Sequence, residues 1–411
     1  MKNNNDHQCE FCGKSKQDVE KLIISEHSAI CNDCIDLCVE ILKDEKIKKF
    51  PADEFKAIYN PSKIKDYLDD YVIGQDEAKI SMSVAICQHF KRINNPNTDL
   101  DIEKTNVLLL GPTGCGKTFL ARKLADYLNI PFTIFDATGI TEAGYVGDDV
   151  ESVLVRLLSA ADGDMEKAQR GIVYIDEIDK LARKGESASI TRDVSGEGVQ
   201  QALLKMIEGN VMRIPTTDKR KHPKGDMNEI DTKNILFICG GAFVGLDKII
   251  QKRKDSNSIG FTSKISSQEN SVEYFSEVTT KDLITYGMIP EFIGRFGIIT
   301  NVEELNIKQL VQILREPKNS LLKQYQYLFE LDNIILEFDE DAFESVAAKA
   351  KELKTNARGL KNILEKILIP YQFDAINLVD RGLTKIVISK SSVEGKPATL
   401  IFDKKNDKKQ S

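Results

Sequence analysis

The sequence predicts an α/β fold in which helices cover both faces of a parallel β-sheet. A small cysteine-rich unit precedes the sheet, and a small, mainly helical domain follows it. Three observations support this prediction. Apolar segments of strand length alternate with helical patterns between residues 61 and 302, five of the eight cysteines fall within the first 38 residues, and amphipathic patterns dominate residues 303–400.

Composition divides the chain into five predicted segments. They are a cysteine-rich unit at 1–45, a charged linker at 46–60, a large α/β domain at 61–302, a small domain at 303–400 and a disordered tail at 401–411. Short apolar runs predict the strands of the large domain: Val107–Leu110, Pro131–Phe135, Ile172–Ile175 and Ile235–Cys239. In the small domain, periodicity predicts helices within Ile307–Arg315, Asp341–Leu353 and Gly359–Leu378, with a strand at Lys385–Ser389.

Bulk composition excludes several classes of protein. No apolar run is long enough to span a membrane, and the first residues lack the apolar stretch of a secretory signal. We therefore expect a cytoplasmic protein without a membrane partner. A net charge of −7 disfavours a dedicated nucleic-acid binder, whose footprint is usually a basic face.

The N-terminal cysteines have the spacing of a structural zinc site. Cys9 and Cys12 form one C-x-x-C pair, Cys31 and Cys34 form another, and eighteen residues separate the pairs. Four thiolates complete a tetrahedron around Zn²⁺ and leave no open position for catalysis. Cys38 is a spare thiol that could compete for the metal, His7 and His27 are weaker candidates, and a nucleic-acid-binding zinc ribbon is the rival interpretation.

A glycine-rich segment predicts a phosphate-binding loop. It follows the strand NVLLL, precedes the helical stretch Phe119–Leu128 and matches G-x-x-x-x-G-K-T. In such a loop backbone N–H groups surround the phosphates, the lysine reaches the β- and γ-phosphates, and the threonine ligates Mg²⁺. The cysteine within it stands where serine is more usual, which suggests an oxidisable loop. The loop residues are Gly111, Pro112, Thr113, Gly114, Cys115, Gly116, Lys117 and Thr118.

Two carboxylates follow a buried strand about sixty residues later. Asp176 and Glu177 come directly after the apolar run Ile172–Ile175, at the strand end where open α/β sheets bind ligands. Asp176 suits Mg²⁺, whereas Glu177 suits the polarisation of an attacking water. A simple binding switch needs only the first acid, so the pair favours ATP hydrolysis.

The order of these motifs resembles that of the AAA+ ATPases. The resemblance implies that Val72 and Ile73, within the segment YVIGQ, cradle the adenine. It also implies that Arg295, in the box IPEFIGRF, is an arginine finger serving the neighbouring subunit, and that Arg358, in NARGL, is a second sensor over the phosphates. The alternative for each arginine is an ordinary surface ion pair.

Further segments resemble the ClpX family of AAA+ protein unfoldases. The segment GYVG resembles the loop that lines the family's pore, the segment around SITRDVSGEG its second pore loop, and RKH the charged loop at the pore entrance. Without that resemblance, they would be a surface turn and solvated charges. The residues assigned by it to the substrate pore are Tyr145, Val146, Arg192, Arg220, Lys221 and His222.

The same resemblance implies partners. Ile259, Gly260 and Phe261 stand in a long polar stretch, and match the tripeptide by which the family docks on a ClpP-type peptidase; otherwise they are tucked into the core. It implies a homo-hexamer that takes adaptors and protein substrates, with chaperone activity when the peptidase is absent. No peptidase motif such as G-x-S-x-G or H-E-x-x-H occurs in this chain. A nucleic-acid-moving AAA+ protein and a zinc-dependent adaptor that uses ATP as a switch are the rival functions.

Overall fold

The fold is taken from a computed structural model, which describes residues 8–25, 28–47, 60–95, 100, 102–140, 149–183, 196–215, 227–257 and 275–403. The chain forms two compact units, Met1–Tyr59 and Asn60–Ser411. We keep the finer division into five segments as a proposal.

The first unit is built around its cysteines. Strands β1 (Leu22–Ile24) and β2 (Ala29–Cys31) pair in an antiparallel hairpin, and helix α1 (Asn32–Ile47) follows directly. Its buried cluster consists of Cys9, Cys31 and Cys34, against which Val19, Leu22 and Ile30 pack. So small a core supplies little stabilisation by itself, and units of this size usually depend on a metal or on disulfides.

The second unit contains a five-stranded, wholly parallel sheet in the order β4-β5-β8-β3-β9. Every residue of β3 and β8 is buried, which requires cover on both faces of the sheet. The predicted fold class and the four predicted strands are confirmed, with strand ends shifted by one or two residues. The bounds are β3 (Asn106–Leu110), β4 (Phe132–Asp136), β5 (Ile172–Asp176), β8 (Leu236–Gly241) and β9 (Phe296–Asn301).

Helices and one hairpin surround this sheet. The hairpin pairs β6 (Val211–Pro215) with β7 (Met227–Asp231) in antiparallel register. Single 3₁₀ turns lie at Ala137–Gly139 and Ile178–Leu181. The helices are α2 (Pro61–Asp69), α3 (Asp76–Asn94), α4 (Lys117–Leu128), α5 (Ser152–Ala160), α6 (Met165–Ala168), α7 (Glu197–Glu208), α8 (Leu246–Asn257), α9 (Thr280–Tyr286) and α10 (Pro290–Ile293).

The C-terminal part combines helices with a second sheet. In it β10 (Ile335–Phe338) pairs in parallel with β11 (Leu383–Ile388), and β11 pairs antiparallel with β12 (Thr399–Phe402). The predicted strand at Lys385–Ser389 is confirmed as part of β11, whereas β10 and β12 were not predicted. The helices are α11 (Ile307–Arg315), α12 (Leu321–Leu331), α13 (Glu340–Glu352), α14 (Asn356–Phe373), α15 (Ala375–Asp380) and α16 (Lys390–Val393).

One predicted helix differs from the structure. The periodic stretch from Gly359 to Leu378 is two helices, because Asp374 leaves the helical conformation at φ −103° and ψ 9°. Its carboxylate accepts a 2.7 Å hydrogen bond from the amide of Asn377, which stabilises the break locally. Apolar periodicity does not detect such a break, since apolar residues continue through it at three- and four-residue spacing.

Candidate nucleotide and zinc sites

The phosphate loop and the two carboxylates lie at one edge of the sheet. The loop follows β3, Asp176 ends β5, and β8 pairs in parallel with both strands between them. Because the carboxyl ends of parallel strands meet at the same edge, these groups face a common crevice. A cavity of about 370 Å³ opens there. Its lining residues are Thr113, Gly114, Gly116, Lys117, Thr118, Phe119, Asp176, Glu177, Asp179, Lys180, Ala242, Val244, Ala357 and Arg358.

Two glycines let the loop pass very close to other backbone. A Cβ on Gly111, at φ +135°, would lie 2.3 Å from the carbonyl oxygen of Val302, and one on Gly114, at φ +81°, would lie 2.5 Å from that of Thr355. Neither approach leaves room for a side chain, so glycine is required at both positions. A loop of this shape, opening helix α4, fits a phosphate group.

Lys117 begins helix α4 and is 7% exposed. Its ammonium group donates hydrogen bonds to the carbonyl oxygens of Gly111 (2.6 Å) and Pro112 (3.0 Å). Burial lowers the pKa of Lys117, and the nearby carboxylate of Asp176 opposes that shift. A buried cation so placed favours an anionic ligand.

Thr118 and Asp176, the predicted magnesium ligands, are in direct contact. The Thr118 hydroxyl donates a 2.7 Å hydrogen bond to Asp176 Oδ2, and the buried Tyr174 hydroxyl lies 3.4 Å from Asp176 Oδ1. Burial raises the pKa of Tyr174, so its hydroxyl stays protonated and remains a donor. A hydroxyl and a carboxylate together are oxygen ligands of the kind that Mg²⁺ takes alongside substrate phosphates.

Glu177 has an unusual backbone conformation. It lies at φ +55° and ψ 32°, a left-handed geometry that costs a residue with a side chain about 1–2 kcal/mol. Its backbone N–H donates to Asp176 Oδ1 at 3.0 Å, while the exposed side chain lines the cavity. Such strain often occurs at functional sites, and here it turns the second carboxylate toward the cavity.

One further residue of this edge, Asp179, was not predicted. Asp179 is 4% exposed, lines the cavity and accepts a 3.1 Å hydrogen bond from the backbone N–H of Ala242, just after β8. Its position two residues after the carboxylate pair was the only sequence feature that could have pointed to it.

The suggestion that Cys115 makes the loop oxidisable is not supported, because this thiol is 3% exposed and burial raises its pKa to about 11.

The two predicted arginines occupy different places. Arg358, in the first turn of α14, lines the cavity together with Ala357. Arg295 directly precedes β9, and Phe296 at the start of that strand pairs with Asn106 at the start of β3. Arg295 therefore lies at the opposite edge of the sheet, where its guanidinium donates to the carboxylate of Glu208.

Val72 and Ile73 lie between α2 and α3 and are not among the residues lining the described cavity. Their segment is nevertheless tied to the chain just beyond β9. Gln75 donates to the carbonyl of Glu303 at 2.9 Å and accepts from its N–H at 2.7 Å.

The four N-terminal cysteines form a group that fits zinc. Sγ atoms of Cys9, Cys12, Cys31 and Cys34 all lie within 4.8 Å of one another, and those of Cys12 and Cys31 are 3.6 Å apart. Sulfur atoms about 2.3 Å from one tetrahedral Zn²⁺ are about 3.8 Å apart, so the spacing matches. Cys38 is outside this group, and both alternative histidines are outside the described residues.

The residues assigned to the pore and to peptidase docking also lie outside the described residues. They are Tyr145, Val146, Arg192, Arg220, Lys221, His222, Ile259, Gly260 and Phe261. Within the described ranges, no helix is long and apolar enough to cross a membrane.

Comparison with known proteins adds to this geometry. Residues 102–299 match the family model for an AAA domain (Cdc48 subfamily), and residues 7–44 match that for a ClpX C4-type zinc finger. A protein of Treponema denticola is 48% identical over 406 residues, which cover 97% of each chain. Proteins of Borrelia duttonii and Borrelia recurrentis are each 47% identical over 392 residues, which cover 94% of this chain and 90% of theirs.

All three relatives are named as the ATP-binding subunit ClpX of ATP-dependent Clp protease. The matches confirm the predicted family resemblance, ATPase class and N-terminal zinc finger. The chain therefore belongs to the ClpX family of AAA+ ATPases.

Proposed function

We propose that this chain uses ATP hydrolysis to unfold protein substrates and thread them into a ClpP-type peptidase. The observation that carries the proposal is the cavity in which Lys117, Glu177 and Arg358 converge from separate elements. The names of the relatives as Clp protease subunits support the partner. The absence of peptidase motifs from the sequence supports a division in which this chain translocates the substrate and a separate subunit cleaves it.

The cavity side chains divide the work of phosphoryl transfer. Thr118 and Asp176 would hold Mg²⁺, which offsets phosphate charge when bound. Lys117 would bind the β- and γ-phosphates, while Glu177 would orient the attacking water and accept its proton. Arg358 would place a permanent positive charge beside the transferred group. Because Arg358 belongs to α14, its contact with the transferred phosphate would couple hydrolysis to movement of the C-terminal part.

A closed ring, which we propose is a homo-hexamer, would complete the site. Arg295 lies at the far edge of its own sheet, so a neighbour's nucleotide is the one it would reach. Head-to-tail contacts that repeat and close produce a ring. The hexameric number itself comes from the family resemblance.

Sequence supports the roles of the segments outside the described residues. In GYVG, an aromatic and a branched residue between glycines would grip a polypeptide by bulk rather than by sequence. We propose that Tyr145 and Val146 line the pore with Arg192, that Arg220, Lys221 and His222 lie at its entrance, and that Ile259, Gly260 and Phe261 dock on the peptidase. We further propose that the zinc unit receives adaptors, that the ring acts as a chaperone without the peptidase, and that nucleic acid is not a substrate.

We also propose which residues contact the adenine and where in the cell the protein acts. Val72 and Ile73 would contact the adenine, since Gln75 holds their segment against the chain beyond β9. A cytoplasmic location agrees with a zinc site that requires four reduced thiols.

A direct test mixes zinc-loaded protein, ATP and a stable fluorescent protein that carries an unstructured C-terminal peptide tag. We expect fluorescence to fall with ATP and not with a non-hydrolysable analogue, and degradation to require an added ClpP-type peptidase. Tyr145→Ala should retain ATPase activity and lose unfolding. Tyr327→Ala, the same truncation at a side chain 61% exposed on α12, is the control.

Three results would contradict the proposal. One is ATP consumption with every tagged client left folded. A second is unchanged unfolding by Tyr145→Ala. The third is ATPase stimulation by DNA but by no unfolded protein, which would favour a nucleic-acid motor.

A further inference from the structure

Four consecutive carbonyl groups of the phosphate loop accept hydrogen bonds. Lys117 donates to the first two, those of Gly111 and Pro112. The next two receive their donors from the start of α14. The side-chain amide of Asn356 donates to the carbonyl of Thr113 at 3.1 Å, and the backbone N–H of Ala357 donates to that of Gly114 at 3.2 Å.

These bonds determine where the loop's N–H groups point. A trans peptide is planar, so its C=O and the following N–H point in opposite directions. Holding the Thr113 carbonyl therefore orients the N–H of Gly114, and holding the Gly114 carbonyl orients that of Cys115. Backbone N–H groups of such a loop bind the α- and β-phosphates. Two of these four hydrogen bonds thus come from the C-terminal part.

The local structure holds Asn356 firmly in this position. Asn356 is 6% exposed and adopts a left-handed φ of +47°, which asparagine tolerates better than most residues. The preceding carbonyl, of Thr355, lies against Gly114 so closely that a Cβ on the glycine would be 2.5 Å away. Arg358 follows two residues later in the same turn of α14. The loop and the turn carrying Arg358 are therefore joined by Asn356.

We infer that Asn356 is a positioning residue that orders the phosphate loop for nucleotide binding. It makes affinity for the α- and β-phosphates depend on where the C-terminal part sits. This role differs from that of Arg358, which lines the cavity itself. The inference rests on the proposed nucleotide site, and it is independent of whether the substrate is a protein.

Asn356→Gly is the sharpest test, because glycine keeps the left-handed backbone and the Ala357 bond but deletes the side-chain donor. We expect the Kd of ATP and the Kd of ADP to rise by a common factor of about 2 to 10, the value of one neutral hydrogen bond. The kcat at saturating ATP should stay within about twofold. Asn356→Asp should raise both Kd values further, since it replaces the donor with a negative charge near the phosphates.

Asn333→Gly is the matched control. Asn333 also has a left-handed φ, of +59°, but is exposed in the turn before β10, so its replacement should leave both Kd values unchanged. The inference is overturned if Asn356→Gly matches this control, or if kcat falls while both Kd values stay constant. Lys117→Ala tests the proposed nucleotide site separately from the role of Asn356. Undiminished ATP binding by that variant would refute the nucleotide site itself.

Discussion

The two ends of strand β3 differ sharply in what surrounds them. At the carboxyl end, the phosphate loop, Asp176, Glu177 and Arg358 share one cavity. At the amino end, Asn106 donates from its amide to the backbone carbonyl of Arg295 at 3.0 Å, near the partly buried Lys104. The first end has groups for binding phosphate and activating water. The second end has the cationic side chain of Arg295 but no phosphate loop.

The length of β3 keeps Arg295 away from the phosphate loop of its own chain. Five residues at a rise of about 3.3 Å separate the two ends by about 13 Å, which is beyond the reach of Arg295 to its own loop. If Arg295 is the arginine finger that we propose, it would therefore act on a nucleotide bound at the carboxyl end of another copy. The asymmetry of one sheet explains why we expect an active assembly and an inactive monomer.

Loss of the proposed arginine finger gives the largest expected effect. Arg295→Ala should lower the ATPase kcat by about 10³- to 10⁵-fold, the contribution of arginine fingers elsewhere, with ATP binding retained. Steady-state ATP hydrolysis measures kcat, and a nucleotide-binding titration measures the affinity for ATP. Glu208→Gln, which frees Arg295 from its ion pair, is the control and should change kcat by less than about threefold because that exposed pair contributes little.

Loss of the second carboxylate should have the next largest effect. Glu177→Gln keeps the side-chain volume but removes the carboxylate that we propose orients water, so kcat should fall by about 10²- to 10⁴-fold while ATP binding and ring assembly persist. Full turnover by this variant would favour an ATP-dependent assembly switch over a motor.

Mixing the two variants tests the comparison itself. In a mixed ring, Glu177→Gln subunits supply intact fingers to the intact cavities of Arg295→Ala neighbours, so hydrolysis should partly return. If each finger acted within its own chain, the mixture would remain as inactive as the separate variants.

Local signals predicted the carboxyl end of β3 well. The glycine spacing of the loop and the apolar strand before Asp176 are each local patterns of consecutive residues, so the sequence revealed both the loop and this strand. Strand β9 was missed because the segment FGIITN carries no strong alternation and becomes a strand only by pairing with β3. The contact of Asn356 with Thr113 joins residues 243 positions apart, which no local pattern encodes.

The smallest expected effect concerns stability at the amino end. Burial, together with the charge of Arg92, lowers the pKa of Lys104 to about 7, and the charge of Asp231 opposes the shift. His89 also belongs to this cluster, and burial lowers its pKa to about 3. Lys104 donates a 2.8 Å hydrogen bond to the carbonyl of Thr232 and lies 4.5 Å from the Phe237 ring centre.

A lysine pKa that is depressed by folding makes stability rise with pH. Between pH 7 and 10.5 the unfolded chain holds a proton at Lys104 that the folded chain has released, so each pH unit adds at most about 1.4 kcal/mol to the free energy of unfolding. Below pH 7 both states are protonated and this contribution is constant. Lys104→Met should remove the slope in urea titrations from pH 6 to 9, whereas Lys308→Met, at an exposed position of α11, should keep it. Parallel pH profiles for wild type and Lys104→Met would show that this lysine stays charged in the fold, and the amino end would then be a cationic edge at every working pH.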